Sequence, residues 1–327
     1  MEYCGIIENG QDEKVTNEID SYENCPECSY HKEAHLNGIL DYVTSDSFNI
    51  IKCTKCENFF TDPVPSSLSN YYQNRYRKYN VIVLAVLRFF YTFRVKSWVK
   101  SFKGDNYSAL EIGCGDGFVL SNLKNMGWKV LGVERDEKSV IHARNMFGID
   151  VISEPISETI YKNNFDLVIL FQVLEHVDRP VSLLNKCKKM LKTNGKIIIS
   201  VPNIESWQAK LTKQNWQHLD VPRHLNHFTK DSLNFYFDKL NLSIDSISYI
   251  SFEHDIYGWI QSLLNCIGFE KNLLLKFLMK INVFSIHVLI SIILSFLLVL
   301  PAIMISMISW TFCNGSIIQI QVKESIE

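Results

Sequence analysis

A short apolar run, Ser108-Ala109-Leu110-Glu111-Ile112, leads straight into Gly113-Cys114-Gly115-Asp116-Gly117 and then into a helix-like stretch from Phe118. No other stretch limits the fold as tightly. Glycines at alternate positions permit a tight strand-to-helix turn and let a ligand approach bare backbone. A nicotinamide-binding fingerprint would place its third glycine at position 118, where this chain has Phe118. The pattern is E-x-G-x-G-x-G, and a carboxylate at the strand end suits a ligand with an ammonium group better than a pyrophosphate. A second run, Lys129-Val130-Leu131-Gly132-Val133, ends in Glu134, 21 residues beyond Gly113 (134 − 113). There a carboxylate can accept both ribose hydroxyls. The alternative is that Glu134 caps the helix that follows. Further runs alternate with helical patterns: Phe165 to Leu170, a helix over Leu183 to Leu191, then Lys196 to Val201 after the Asn194-Gly195 turn. This alternation predicts an α/β fold with a mostly parallel sheet covered on both faces.

From Leu110 to about Phe228 the chain resembles the class I S-adenosylmethionine-dependent methyltransferases. Glu111, Gly113, Gly115 and Gly117 match the family's first motif, and Glu134 its ribose-binding acid. Phe171-Gln172-Val173-Leu174-Glu175-His176-Val177 resembles its fourth motif, which borders the sulfonium and the substrate. The resemblance implies a Rossmann-like fold and S-adenosylmethionine as cofactor. Its implied contacts are Glu111, Gly113, Cys114, Gly115, Gly117, Glu134, Phe171 and Gln172, with Glu154 in the usual adenine-side position.

Methyl transfer from a sulfonium requires a positioned acceptor and, where needed, removal of its proton. An imidazole suits the second task near neutral pH. His176 and His224 are the candidate bases, with Arg223 expected to orient an anionic or hydroxyl-rich acceptor. The run P-R-H-L-x-H-F around Arg223 and His224 resembles a subgroup that also carries an N-terminal four-cysteine knuckle. Any of these histidines could instead be structural. Some quinone O-methyltransferases of the family use E-x-x-E-H for a divalent ion. Here Gln172 replaces the first glutamate, and no catalytic metal is expected.

Residues 1–66 carry Cys25-Pro26-Glu27-Cys28 and Cys53-Thr54-Lys55-Cys56, separated by 24 residues. Two CxxC turns bring four sulfurs to one tetrahedral ion, so Cys25, Cys28, Cys53 and Cys56 read as a structural zinc ribbon without an open coordination position. Tyr42-Val43 and Phe48 to Ile51 read as its strands, and His31 and His35 as surface residues. An odd total of nine cysteines fits a reducing compartment better than a disulfide framework.

Between Asp62 and Asp105 there is no acidic residue. Across residues 67–104, Lys78, Arg88, Lys96, Lys100 and Lys103 fall within about 120° on a helix, with Arg94 outside that sector. A cationic stripe opposite an apolar, aromatic face suits the headgroup region of an anionic membrane. An ordinary packing helix is the alternative.

Residues 105–270 are read as the methyltransferase domain. Val283 to Trp310 then holds no Asp, Glu, Lys or Arg, which is long enough for a membrane span. Residues 313–327 read as the closing strand and tail. If Ile317 to Val322 returns to the sheet, both ends of the insert lie on one side, so residues 271–312 are expected to form a helical hairpin broken near Pro301. A single span or a buried helix pair are the alternatives. The chain is thus expected at the cytosolic face of a membrane, anchored by residues 283–310, acting on a lipid-linked sugar, glycolipid or quinone precursor. A soluble nucleotide-sugar acceptor and a non-catalytic membrane scaffold are the other readings. A net charge of −2 speaks against nucleic acid as partner.

Overall fold

The structure, a computed structural model, describes residues 24–72, 81–153, 161–279 and 282–325. The N-terminal part forms β1 (Lys32–Leu40), β2 (Ser47–Cys53) and β3 (Phe59–Asp62), followed by α1 (Val81–Val99). The central part alternates β4 (Ser108–Ile112), α2 (Phe118–Asn125), β5 (Lys129–Val133), α3 (Glu137–Phe147), β6 (Asp150–Ile152), β7 (Phe165–Phe171), α4 (Pro180–Met190) and β8 (Leu191–Pro202). Then come α5 (Trp207–Thr212), β9 (Asn226–His227), α6 (Lys230–Lys239) and β10 (Leu242–Ser248). The chain closes with α7 (Phe252–Cys266), α8 (Leu273–Leu278), α9 (Ile286–Thr311) and β11 (Ile317–Glu324).

The main sheet has the order β10-β11-β8-β7-β4-β5-β6. Its pairs from β6 to β8 are parallel, and β11 runs antiparallel to both β8 and β10. Side chains alternate across it. Leu110, Val168 and Ile199 pack with α4 and α6 on one face; Ala109, Leu167 and Ile198 pack with α1, α2 and α3 on the other. Strands buried on both faces explain the near-continuous apolar runs. This is the expected Rossmann-like fold, with the closing strand as expected.

The cysteine-bearing region is joined to this domain through a strand. Its sheet has the order β1-β2-β3-β9, so the last strand comes from the P-R-H-L-x-H-F run. Tyr42-Val43, expected as strand, is a turn. The cause is Asp41, whose Oδ2 accepts the amides of Val43 and Thr44 at 2.9 and 2.6 Å and so closes a turn on its own backbone. His31 and His35 are exposed, as expected.

On α1 the expected division into a cationic and an apolar face does not occur. Val86, Phe89 and Phe93 share the exposed face with Lys96 and Lys100. The inner face is taken by Val95 and Trp98, which pack on the sheet, and by Arg94. Lys78 lies outside the described residues.

The apolar insert also differs from expectation. Pro301 does not break it: α9 is one helix of 26 residues, about 39 Å long at 1.5 Å per residue. Proline removes a single backbone bond, and the apolar, strongly helical run on both sides keeps the helix whole. Among the described residues it is the one helix long and apolar enough to cross a membrane. It packs along α7 and α8, and its C-terminal end returns directly to β11. The turn consists instead of α7 and α8 running out and α9 running back. The side-chain distribution on α9 is inverted relative to a soluble helix. Val288, Ser291, Ala302, Ser306 and Ser309 face inward and are buried. Ile286, Ile290, Ile293, Phe296, Leu297, Leu300, Met304 and Met307 are exposed along its length, Phe296 to 76%.

Candidate active site

The glycine loop joins β4 to α2 and is tied to the end of β5. Val133 O accepts the amides of Gly113 and Cys114 at 2.7 and 3.1 Å. Gly113, Gly115 and Gly117 have φ of 71°, 50° and 80°, a region that disfavours side chains. A Cβ on Gly117 would also meet Ala143 and Ile149 at 3.0 Å, so the third glycine lets α2 approach α3. Glu134 accepts Gly115 N at 2.9 Å through Oε2, and Arg135 N and Asp136 N at 2.7 and 2.9 Å through Oε1. The cap of α3 is Asp136, which accepts Ser139 N, so helix capping does not account for Glu134. Its acidity is weakened by burial, against which the backbone amides work.

Glu111 is 2% exposed, and its Oε2 has no hydrogen-bond partner among the described residues. Burial first, and then the neighbouring Glu134, push its carboxyl well above the usual range. A buried carboxylate oxygen without a donor, beside a glycine turn and a second carboxylate, fits a ligand bearing an ammonium group and ribose hydroxyls. These residues fit S-adenosylmethionine on chemistry as well as on motif.

Not all expected contacts are side-chain contacts. Cys114 is buried, and a Cβ on Gly132 would come within 2.6 Å of its Sγ, so the thiol packs against β5 and only the backbone borders the loop. Glu154 lies outside the described residues. Ile112 pairs with Leu170, which puts Phe171 and Gln172 beside Gly113. Gln172 has φ of 56°, an uncommon conformation for a side-chain-bearing residue at the end of a buried strand.

The expected catalytic residues converge on one another. His176 Nδ1 lies 2.9 Å from Arg223 O and 3.2 Å from Tyr72 Oη, and its ring centroid is 4.7 Å from that of His224. His224 is buried, with Nδ1 2.9 Å from His218 O and Nε2 3.9 Å from Asp220. Burial, then His176, pushes its pKa well below normal. Glu175, His176 and His224 present ligand atoms within 4.8 Å of one another, a donor set able to hold a cation. Arg223 does not reach toward an acceptor. It donates to Asp220 and Asp41 at 2.7 Å each and to Tyr71 O at 3.0 Å, and it lies over the Tyr42 ring. It pins the cysteine-bearing region to the loop before β9, because buried Asp41 and half-buried Asp220 claim its fork.

That region supplies a second donor set. Cys25, Cys28, Cys53 and Cys56 offer sulfurs within 4.8 Å of one another, with Cys25–Cys56 at 3.7 Å and Cys28–Cys53 at 3.5 Å. Tetrahedral thiolates around zinc stand about 3.8 Å apart. Cys56 holds the Cys25 thiol down at about 5, while burial first, and then Cys53, push Cys28 up to about 11.

A third polar group was not anticipated from sequence. Arg94 on α1 and Glu253 on α7 form a buried ion pair, and the guanidinium lies 5.1 Å from the Phe171 ring centroid. His254 is 6.1 Å from Phe171 between centroids. The clue was Glu253-His254 at the start of a helix, but only the fold brings that helix to the end of β7.

A family model described as a methyltransferase domain matches residues 69–247, more than half of the 327 residues. A ubiquinone biosynthesis O-methyltransferase of Bradyrhizobium diazoefficiens is 31% identical over 105 residues, covering 31% of this chain and 41% of that protein. A probable S-adenosylmethionine-dependent methyltransferase of Mycolicibacterium smegmatis is 29% identical over 96 residues, covering 29% of this chain and 37% of that protein. The chain thus spans about two fifths of the length of these curated relatives. A solved S-adenosylmethionine-dependent methyltransferase from Archaeoglobus fulgidus is 19% identical, with a TM-score of 0.45, covering 75% of this chain and 100% of that one.

Proposed function

Because the chain belongs to the class I S-adenosylmethionine-dependent methyltransferases, we propose that it transfers a methyl group from S-adenosylmethionine to an acceptor at a membrane surface. The observation that carries the cofactor assignment is the buried Oε2 of Glu111, without a hydrogen-bond partner among the described residues, beside the Gly113–Gly117 turn and Glu134. Glu111 would hold the ammonium group, the loop backbone the methionine part, and Glu134 the ribose. The cofactor supplies an electrophilic methyl group on a sulfonium. Phe171 and Gln172 would border it, and Glu154 would serve the adenine side. His176 and His224 would border the acceptor side together, both buried.

Four sulfurs within 4.8 Å of one another, two of the pairs at 3.7 and 3.5 Å, support a structural zinc in the cysteine cluster. With Arg223 and β9, it would fix the roof over the histidines. The membrane reading rests on the exposed apolar ridge of α9, with no charged side chain from Val283 to Trp310. Both ends of α9 continue into elements packed on the same body, so the helix would lie along the cytosolic face with its ridge among the lipid chains. The acceptor is then lipid-linked: a polyprenyl-linked sugar, a glycolipid or a quinone precursor.

Two binding measurements test this. Calorimetry should show S-adenosylmethionine binding that Glu134→Ala loses by tenfold or more. Flotation with anionic vesicles should carry the full chain to the top of the gradient. Equal cofactor binding by the two chains removes the site assignment, and a chain left at the bottom removes the membrane.

A further inference from the structure

His254 stands in the first turn of α7, next to the strand end that borders the glycine loop. Its Nδ1 lies 2.8 Å from Ser251 Oγ and 3.4 Å from Glu253 Oε1. Burial pushes the Glu253 carboxyl up, but the His254 bond and the Arg94 guanidinium outweigh it and hold it at about 2. Glu253 is therefore ionised at neutral pH. With Nδ1–H donated to Ser251 Oγ, which also accepts from Arg94, and facing the Glu253 carboxylate, the lone pair is left on Nε2. No described residue bonds that nitrogen, and the side chain is 20% exposed. A carboxylate orienting an imidazole whose other nitrogen is open is the arrangement of a general base.

The other histidines are less suited. His224 is buried, its Nδ1 2.9 Å from His218 O. His176 follows a further turn beyond Gln172, and its Nδ1 is held by Arg223 O and Tyr72. His254 lies against Phe171, the residue beside Gly113 in the sheet.

We propose that His254, oriented by Glu253, is the base that takes the acceptor's proton during methyl transfer. This rests on the methyltransferase reading above. The acceptor's proton moves to His254 Nε2, the pair it leaves forms the bond to the methyl carbon, and the carbon–sulfur pair stays on sulfur. The groups around the ring are Arg94 from α1, Glu253 and Asp255 from α7, His218 from the loop before β9 and the Phe171 ring from β7. Arg94 and Glu253 offset each other as an ion pair, and the buried Asp255 carboxyl is common to both ligand complexes, so what differs between them at the imidazole would be the cofactor's sulfonium charge.

The test uses full-length protein in detergent micelles with isotope-labelled histidine, the His254 signal assigned with His254→Gln. Its titration is followed with S-adenosylmethionine and with the uncharged thioether S-adenosylhomocysteine. The sulfonium should lower the His254 pKa by about 0.5 units or more relative to the thioether. His254→Gln should bind both ligands within threefold of the unsubstituted chain and transfer label to a cell lipid extract about 100-fold more slowly. Identical titrations in the two complexes, or unchanged transfer by His254→Gln, would overturn the proposal. Failure of the unsubstituted chain to bind either ligand would instead overturn the methyltransferase reading.

Discussion

Glu111→Gln tests the cofactor cradle at its most exposed assumption. The substitution keeps the side chain's volume and removes its charge. In the free protein the carboxyl is buried and pushed well above its usual range, first by burial and then by Glu134. A group whose folded pKa is raised contributes stability that is full below the unfolded value and lost as pH rises through the folded value. Wild-type stability should therefore decline from about pH 4.5 upward through this group, and the glutamine variant should lack that component. Binding should respond in the opposite sense. Losing one partner of a buried charge pair costs roughly 2–5 kcal/mol, and a value of about 3 corresponds to roughly 150-fold in Kd. Any proton held by Glu111 has to leave when the ammonium binds, so wild-type affinity should fall toward acid while that of the variant stays flat. Calorimetry at pH 6, 7 and 8, in buffers of different ionisation enthalpy, measures affinity and proton release together. Glutamine-variant binding within threefold of wild type would refute the reasoning.

Arg223→Ala should destabilise the chain by about 3–5 kcal/mol in denaturant titration, because Asp41 would remain as a buried, unpaired charge, yet refolded variant should bind S-adenosylmethionine normally. Cys25→Ser should lower bound zinc in elemental analysis from one equivalent to below 0.2 and reduce Tm by several degrees; chelator treatment of wild type should match it. Replacing Phe296 and Leu300 together by Asp puts charges on the exposed ridge of α9, so vesicle flotation should drop at least tenfold with Tm unchanged within about 2 °C.

The cofactor loop was legible because it is local. Three glycines, a preceding apolar run and a carboxylate at each strand end specify one turn, and the turn forms as read. The closing strand was legible because Ile318, Ile320 and Val322 alternate with Gln319 and Gln321. Less was readable where distant segments decide. Arg223 looks like an anion-binding residue until Asp41, 182 positions away, is brought beside it. The cysteine knuckles look like a free-standing module, but β9 completes their sheet. Arg94 fell outside the basic sector of α1 for a reason only the fold reveals, its pairing with Glu253. On α9 the uncharged apolar run was clear, but the direction of its small and large faces depends on α7. The expected break at Pro301 overweighted one missing hydrogen bond against a long apolar helix.

The most direct measurement is transfer of isotope-labelled methyl from S-adenosylmethionine into an extract of cells making the protein, partitioned between lipid and aqueous phases. Label in the lipid phase with the intact chain, absent with Glu134→Ala, is the expected result. Label confined to the aqueous phase would contradict the membrane acceptor, and no Glu134-dependent label in either phase would contradict methyl transfer itself.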